Sequence, residues 1–237
     1  MLNFMKNKYD RYYEKILKSD SSNIYTYNKK YLNQDNKLLS LYGKCDKFDK
    51  KIKLIIIADT HGSLQEESIK LFLSQHNIYD ACILLGDYSY QDISIILKYI
   101  PREKIYALLG NHDGNYIQDY NLTNLNGNVF TINSVRMLGI QGSYRYKNAS
   151  FPSFSEKESI EFLKDKEKVD ILFSHDAPFG LSGINDIAHQ GLFGINYYLY
   201  KNHVPICIHG HVHTPYVKHM QNGTLIRCCY LLEYIEL

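Results

Sequence analysis

The chain has 237 residues, enough for one α/β domain with a substantial core, and a formal net charge of only +2, which gives no strong sign of the basic face that a general duplex nucleic-acid binder shows. Five cysteines form neither a C-x-x-C pair nor an even disulfide framework, which points to a reducing, cytoplasmic setting. The amino end lacks the apolar core of a signal peptide, and no stretch approaches the roughly 20 apolar residues that span a bilayer.

Residues 1–48 read as a helical N-terminal extension, with Tyr9, Tyr13, Ile16 and Leu17 at helical spacing. A second short amphipathic helix runs through Leu38, Leu39, Leu41 and Tyr42 to Gly43. This extension packs on the core or serves as a homo-oligomer contact. Residues 49–237 form the main domain. It opens on a buried strand, Ile52 to Ala58, with Asp59 and His61 just past its end. A helix from about Leu64 to Ser74 leads to a second strand, Ala81 to Leu85, which delivers Asp87. A helix over Ile93 to Tyr99 stops before Pro101, and Lys104 to Leu109 forms the third strand, delivering Asn111 and His112. This order predicts parallel pairing with right-handed crossovers.

Asn128 to Ser134 and Val135 to Ile140 are short strands that suit an antiparallel part of a second sheet. Gly142-Ser143-Tyr144-Arg145 reads as a loop, and Ser155-Glu156-Lys157-Glu158 opens a helix with a capping box. Val169 to Phe173 delivers His175. After a helix over about Leu192 to Lys201, Ile206 to Ile208 delivers His211 and His213, and closing strands run through Val217 and through Leu225 to Cys228.

Five polar clusters therefore each cap an apolar run: Asp59-Thr60-His61, Gly86-Asp87, Gly110-Asn111-His112-Asp113, Ser174-His175-Asp176 and Gly210-His211-Val212-His213. Strand ends of open α/β sheets present their loops to one crevice, so the clusters converge. Carboxylates, imidazoles and one amide oxygen without thiolate suit divalent Mn, Fe, Ni or Zn. In His211-Val212-His213 an extended backbone would aim both rings to one side, whereas a turn would let them diverge. Alone, each histidine is better read as an ordinary hydrogen-bonded residue. The ensemble overrides that reading for seven residues, while His76, His189, His203 and His219 stay ordinary and His209 is a candidate for supporting a ligand.

This ordered set resembles the signature of the calcineurin-like metallophosphoesterases, from about Lys51 onward. The resemblance implies a four-layer αββα sandwich of two mixed β-sheets flanked by helices, and a binuclear centre of two divalent metal ions. It assigns Asp59, His61 and His213 to one metal, Asn111, His175 and His211 to the other, and Asp87 to both. A hydroxide held between the metals is then the nucleophile, and His112 assists the leaving group. The implied activity is metal-dependent hydrolysis of phosphoesters, with phosphodiesters or nucleotides as substrates. The alternatives are a phosphomonoesterase or phosphoprotein phosphatase, or a scaffold without turnover. Two departures stand out. Many members carry an Asp three positions after the bridging one, which orients the catalytic His; here Tyr90 stands there, and either Asp92 or Asp113 substitutes or His112 is less firmly held. The arginines of the protein-phosphatase branch are also replaced, by Leu109 and Tyr88-Ser89-Tyr90-Gln91, which leaves Arg145 as the candidate phosphate ligand.

Overall fold

A computed structural model describes residue 37 and residues 39–147 and 150–237. The helix expected around Tyr9 to Leu17 lies outside the described residues. Ser40–Tyr42 is a 3-10 turn that ends at Gly43.

The first sheet forms because Lys53–Ala58 (β1), Ala81–Leu84 (β2), Ile105–Ala107 (β3) and Thr123–Asn124 (β4) pair in parallel order. Alternation in β1 assigns its two faces: Leu54, Ile56 and Ala58 join one core cluster, Ile55 and Ile57 another. The connections carry helices Glu66–Gln75 (α1), Tyr90–Tyr99 (α2) and the short Tyr116–Asp119 (α3), and Ile69, Ile93 and Ile96 cover the outer face of the sheet.

The second sheet is mixed. Val129–Ile132 (β5) and Val135–Ile140 (β6) are an antiparallel hairpin turned at Asn133 and Ser134, both left-handed. Ser143–Tyr144 (β7) and Ser153–Phe154 (β8) make a separate two-stranded ribbon in place of the expected loop. After the helix Glu156–Leu163 (α4), Ile171–Ser174 (β9) pairs parallel to β6; after Phe193–Lys201 (α5), Ile206–His209 (β10) pairs parallel to β9. Tyr216–His219 (β11) and Leu225–Cys228 (β12) complete the order β11-β12-β10-β9-β6-β5. One further strand, Leu231–Glu236 (β13), crosses back and pairs antiparallel with β1. Leu231 itself is left-handed, which gives the chain the turn it needs to change sheets.

The inner faces of the two sheets share one core, in which Ile56, Ile83, Met137, Phe173 and Ile208 meet. Ile160, Leu163, Phe193 and Tyr198 of α4 and α5 cover the outer face of the second sheet. The layers are thus helix, sheet, sheet, helix. Leu39, fully buried, joins the α4/α5 cluster, and the Cys45 and Asp46 N–H groups donate to the Asn222 and His203 carbonyls, so residues 39–46 lie against the second half of the chain. All the cysteines are free thiols, and no helix among the described residues is long and apolar enough to cross a membrane.

Candidate metal centre

Parallel pairing sends β1, β2 and β3 to one edge of the first sheet and β9 and β10 to the matching edge of the second. The ligand candidates sit in the loops just beyond. Five of the seven take left-handed backbone: Asp59 (φ 55°), His61 (46°), Asp87 (64°), His211 (67°) and His213 (56°). Each costs on the order of 1 kcal/mol relative to ordinary backbone, a concentration of strain of the kind that functional sites retain. Two glycines explain how the loops come so close. A Cβ on Gly110 would fall 2.0 Å from Asp87 Oδ1, and one on Gly210 would fall 2.6 Å from Asp59 Oδ2.

The loops assemble two groups of donors, each with its atoms within 4.8 Å of one another: Asp59, His61 and His213, and Asp87, His175 and His211. Asp87 Oδ2 stands between them, 3.5 Å from His61 Nε2 and 3.6 Å from His175 Nε2. Asn111 joins the second group through its Oδ1, 2.9 Å from His175 Nε2. His211 and His213 diverge because the segment between them is a turn, so the alternative of two rings on one side does not occur.

The protons on these rings are fixed by what each ring touches. His175 Nδ1 donates to the Leu85 carbonyl (2.8 Å), so in a neutral ring Nε2 would set its lone pair against those of Asn111 Oδ1 and Asp87 Oδ2, a clash that a proton or a cation on Nε2 relieves. His211 Nε2 donates to the Ala188 carbonyl (3.0 Å), leaving the lone pair on Nδ1. His61 and His213 face each other Nε2 to Nε2 at 3.2 Å. Asp59 Oδ1 is buried with no hydrogen-bond partner, and His213 Nε2 at 3.6 Å is too far to be one. Converging lone pairs and an orphaned carboxylate oxygen call for cations, and this donor set fits two divalent ions. In the metal-free protein protons partly stand in. Burial opposes charge on His175, yet Asp87 and Asp59 hold its pKa above the usual histidine value, and the Asp59 carboxylate raises His213. Burial lowers His61 and His211. Burial works to raise Asp59, but the neighbouring His213 and His175 rings bring it below the usual range.

Buried groups behind the ligands hold the loops. Asp113 Oδ2 accepts from the Asp87 and Gly110 N–H groups and its Oδ1 from Tyr88 N–H, tying the second and third loops together; burial raises its pKa to about 6. His209, pushed down to about 4 by burial, donates from Nδ1 to the Gly210 carbonyl and accepts from Tyr216 Oη. Asp92 accepts from Thr60, Gly62, Leu64 and Ser89.

Neither Asp92 nor Asp113 touches the His112 ring, so neither replaces the missing orienting acid. The exposed His112 ring meets His61 edge to face at 5.5 Å, its backbone N–H donates to Asp87 Oδ1, and among the described residues no side chain hydrogen-bonds the ring. Tyr90 Oη donates to Asp119 instead. The Arg145 guanidinium is occupied by Glu158 (2.9 Å) and by the Ser153 hydroxyl and carbonyl. Two rings that sequence reasoning does not single out flank the centre: His189 stacks on His211 at 4.8 Å with its Nδ1 beside Asp186, and Tyr230 stacks on His213 at 5.3 Å. No periodicity marks such rim residues. Asp92 does carry a signal, the Ser89-x-x-Asp92 capping box that starts α2 three residues before the expected helix start.

A four-layer sandwich with paired ligand groups at the strand ends defines a binuclear metallohydrolase. The profile of the calcineurin-like phosphoesterases matches residues 52–215, and the chain belongs to that family, whose members use two divalent metals. Solved structures of like fold include the protein TT1561 of Thermus thermophilus (TM-score 0.52, 13% identity, covering 78% of this chain and 98% of that one). A dimetal phosphatase from Danio rerio scores 0.50 at 11% identity, covering 78% and 92%. A putative 5'-nucleotidase from Staphylococcus aureus scores 0.51 at 15% identity, covering 79% and 51%. No curated protein sequence matches the chain.

Proposed function

We propose that the chain hydrolyses phosphodiesters or nucleotides, with Asp59, His61 and His213 holding one divalent ion, Asn111, His175 and His211 the other, and Asp87 both. The observation that carries this reading is Asp87 Oδ2, placed 3.5 and 3.6 Å from one ring nitrogen of each group. Bound metals supply Lewis-acid charge for the phosphoryl oxygens and an activated water, so no protein nucleophile is needed. The chain's own residues do the rest. The Leu85 and Ala188 carbonyls fix which nitrogen of His175 and His211 faces the centre. His112 lies on the same loop as Asn111, exposed and with no side chain among the described residues hydrogen-bonded to its ring, and delivers a proton to the departing oxygen.

A preference for diesters over dianionic monoesters follows from Arg145. With its guanidinium taken up by Glu158 and Ser153, Arg145 is not free to act as a bidentate clamp for a second phosphate charge. The test is the purified protein, stripped and reloaded separately with Mn, Ni, Fe and Zn. It is then assayed on chromogenic mono- and diesters and on linear and cyclic nucleotides. Diester or nucleotide turnover is expected; inactivity on every substrate with both metals bound would make the protein a scaffold.

A further inference from the structure

Asp92 is fully buried in the first turn of α2, and its position in the hydrogen-bond network is unusual for a helix cap. Its Oδ2 accepts from Thr60 Oγ1 (2.8 Å), Gly62 N–H (2.6 Å) and Ser89 N–H (2.9 Å), and its Oδ1 from Leu64 N–H (3.1 Å). Thr60 and Gly62 flank His61. One carboxylate oxygen therefore grips the chain on both sides of a residue held left-handed, at φ 46°. Such a residue relaxes unless its surroundings over-determine it. Its exposed ring has, among the described residues, a single hydrogen-bond partner, the His213 nitrogen, with Asp87 Oδ2 3.5 Å away, so the backbone is what aims it. The Ser89 bond ties the same carboxylate to the segment two residues beyond Asp87, and the His61 N–H donates to the Asp87 carbonyl (3.0 Å).

We propose that Asp92 is a positioning residue for the more exposed of the two metals: by clamping Thr60 and Gly62 it holds His61 in its strained conformation and so keeps His61 Nε2 directed at the space shared with Asp59, His213 and Asp87. The proposal rests on the reading of these groups as a metal centre. A helix cap alone affects stability without regard to which metal is bound. A clamp on His61 affects one metal and spares the other, whose His175 and His211 rings are fixed by the Leu85 and Ala188 carbonyls.

The experiment is calorimetric titration of the metal-free, full-length chain with Co²⁺ alone, which needs no turnover. Asp92→Asn keeps the shape but points amide hydrogens at N–H groups. One of the two Co²⁺ ions should bind about 10- to 100-fold more weakly, the range for groups supporting a ligand, and the other should bind as in wild type. In a His61→Ala background, adding Asp92→Asn should change nothing further, since the clamp has lost what it holds. Thr60→Val removes one grip without touching the Ser89 cap, and should weaken the same ion by less. That keeps the test open if Asp92→Asn fails to fold. Wild-type affinity for both ions in the folded variants, equal weakening of both, or an additive loss on top of His61→Ala would overturn the proposal. Wild-type protein that binds fewer than two Co²⁺ ions would instead overturn the metal-centre reading on which it rests.

Discussion

Asp87, His175 and His211 are buried, whereas in the neighbouring group the His61 and His213 rings keep 38% and 45% of their surface exposed. The two groups reach the same chemistry by different routes. In the buried group each ring is fixed by a carbonyl on its far nitrogen, so packing and hydrogen bonds set the geometry. In the open group the rings lack such partners among the described residues, and left-handed backbone at Asp59, His61 and His213 does the aiming. Left-handed backbone occurs in both, at Asp87 and His211 in the buried group too, but only the buried rings have carbonyl partners as well. The buried ion should therefore exchange slowly and the open one readily, with Asp87 as the element they share.

The largest effect expected is from removing that shared element. Asp87→Ala should take the metal content from two per chain to none and hydrolysis to background, as elemental analysis and a diester assay would show. A variant keeping one tightly bound metal would mean that the groups are independent. His112→Ala comes next. His112 contacts the open group only through the His61 ring, so metal content should stay at two while the rate falls about 10²- to 10⁴-fold. The loss should be greater for an alkoxide leaving group than for nitrophenolate, which departs without a proton. A smaller effect is kinetic: brief exposure to a chelator such as dipicolinate should leave a species with one metal, because the exposed rings of the open group admit the competing ligand first. Simultaneous loss of both ions would show that exposure does not control exchange.

Much of this is legible in the sequence, and the reason differs by element. The ligand-bearing parallel strands are short apolar runs closed by Gly, Asp, Ser or His, and the ligand types at their ends carry chemistry that no core residue needs. The αββα layering and the family follow from them. β13 escapes sequence reasoning because Leu231 to Glu236 reads as a mixed stretch; its pairing with β1 at the opposite end of the domain sequence is a tertiary fact. Likewise, nothing in Gly-His-Val-His says whether its rings point together or apart, since that depends on left-handed backbone at both histidines. His189 and Tyr230 are brought to the rim by loops whose path no local pattern encodes. Arg145 stands out by charge, but only its three-dimensional surroundings reveal that Glu158 already pairs with it.

Acid is where the two groups should differ least. A metal binds only deprotonated ring nitrogen, so protons held by the metal-free protein compete with it. Each group contains one histidine whose pKa is raised above the ordinary 6.5, His175 in the buried group and His213 in the open one, and one whose pKa is lowered, His211 and His61 respectively. Affinity for both ions should then be full well above 6.5 and begin to fall as pH drops through the raised values of His175 and His213. Below 6.5 the second histidine of each group adds to the loss. The sign reverses for the metal-free protein. A raised histidine contributes stability below its unfolded value and loses that contribution as pH rises, so above 6.5 the metal-free melting temperature should decline while that of the loaded protein does not. Metal content measured across pH at equilibrium should show both ions leaving in one window, in contrast to their sequential loss to a chelator. Two well-separated acid transitions would mean that burial governs affinity as well as exchange, and that the likeness in charge between the groups is not what sets their binding.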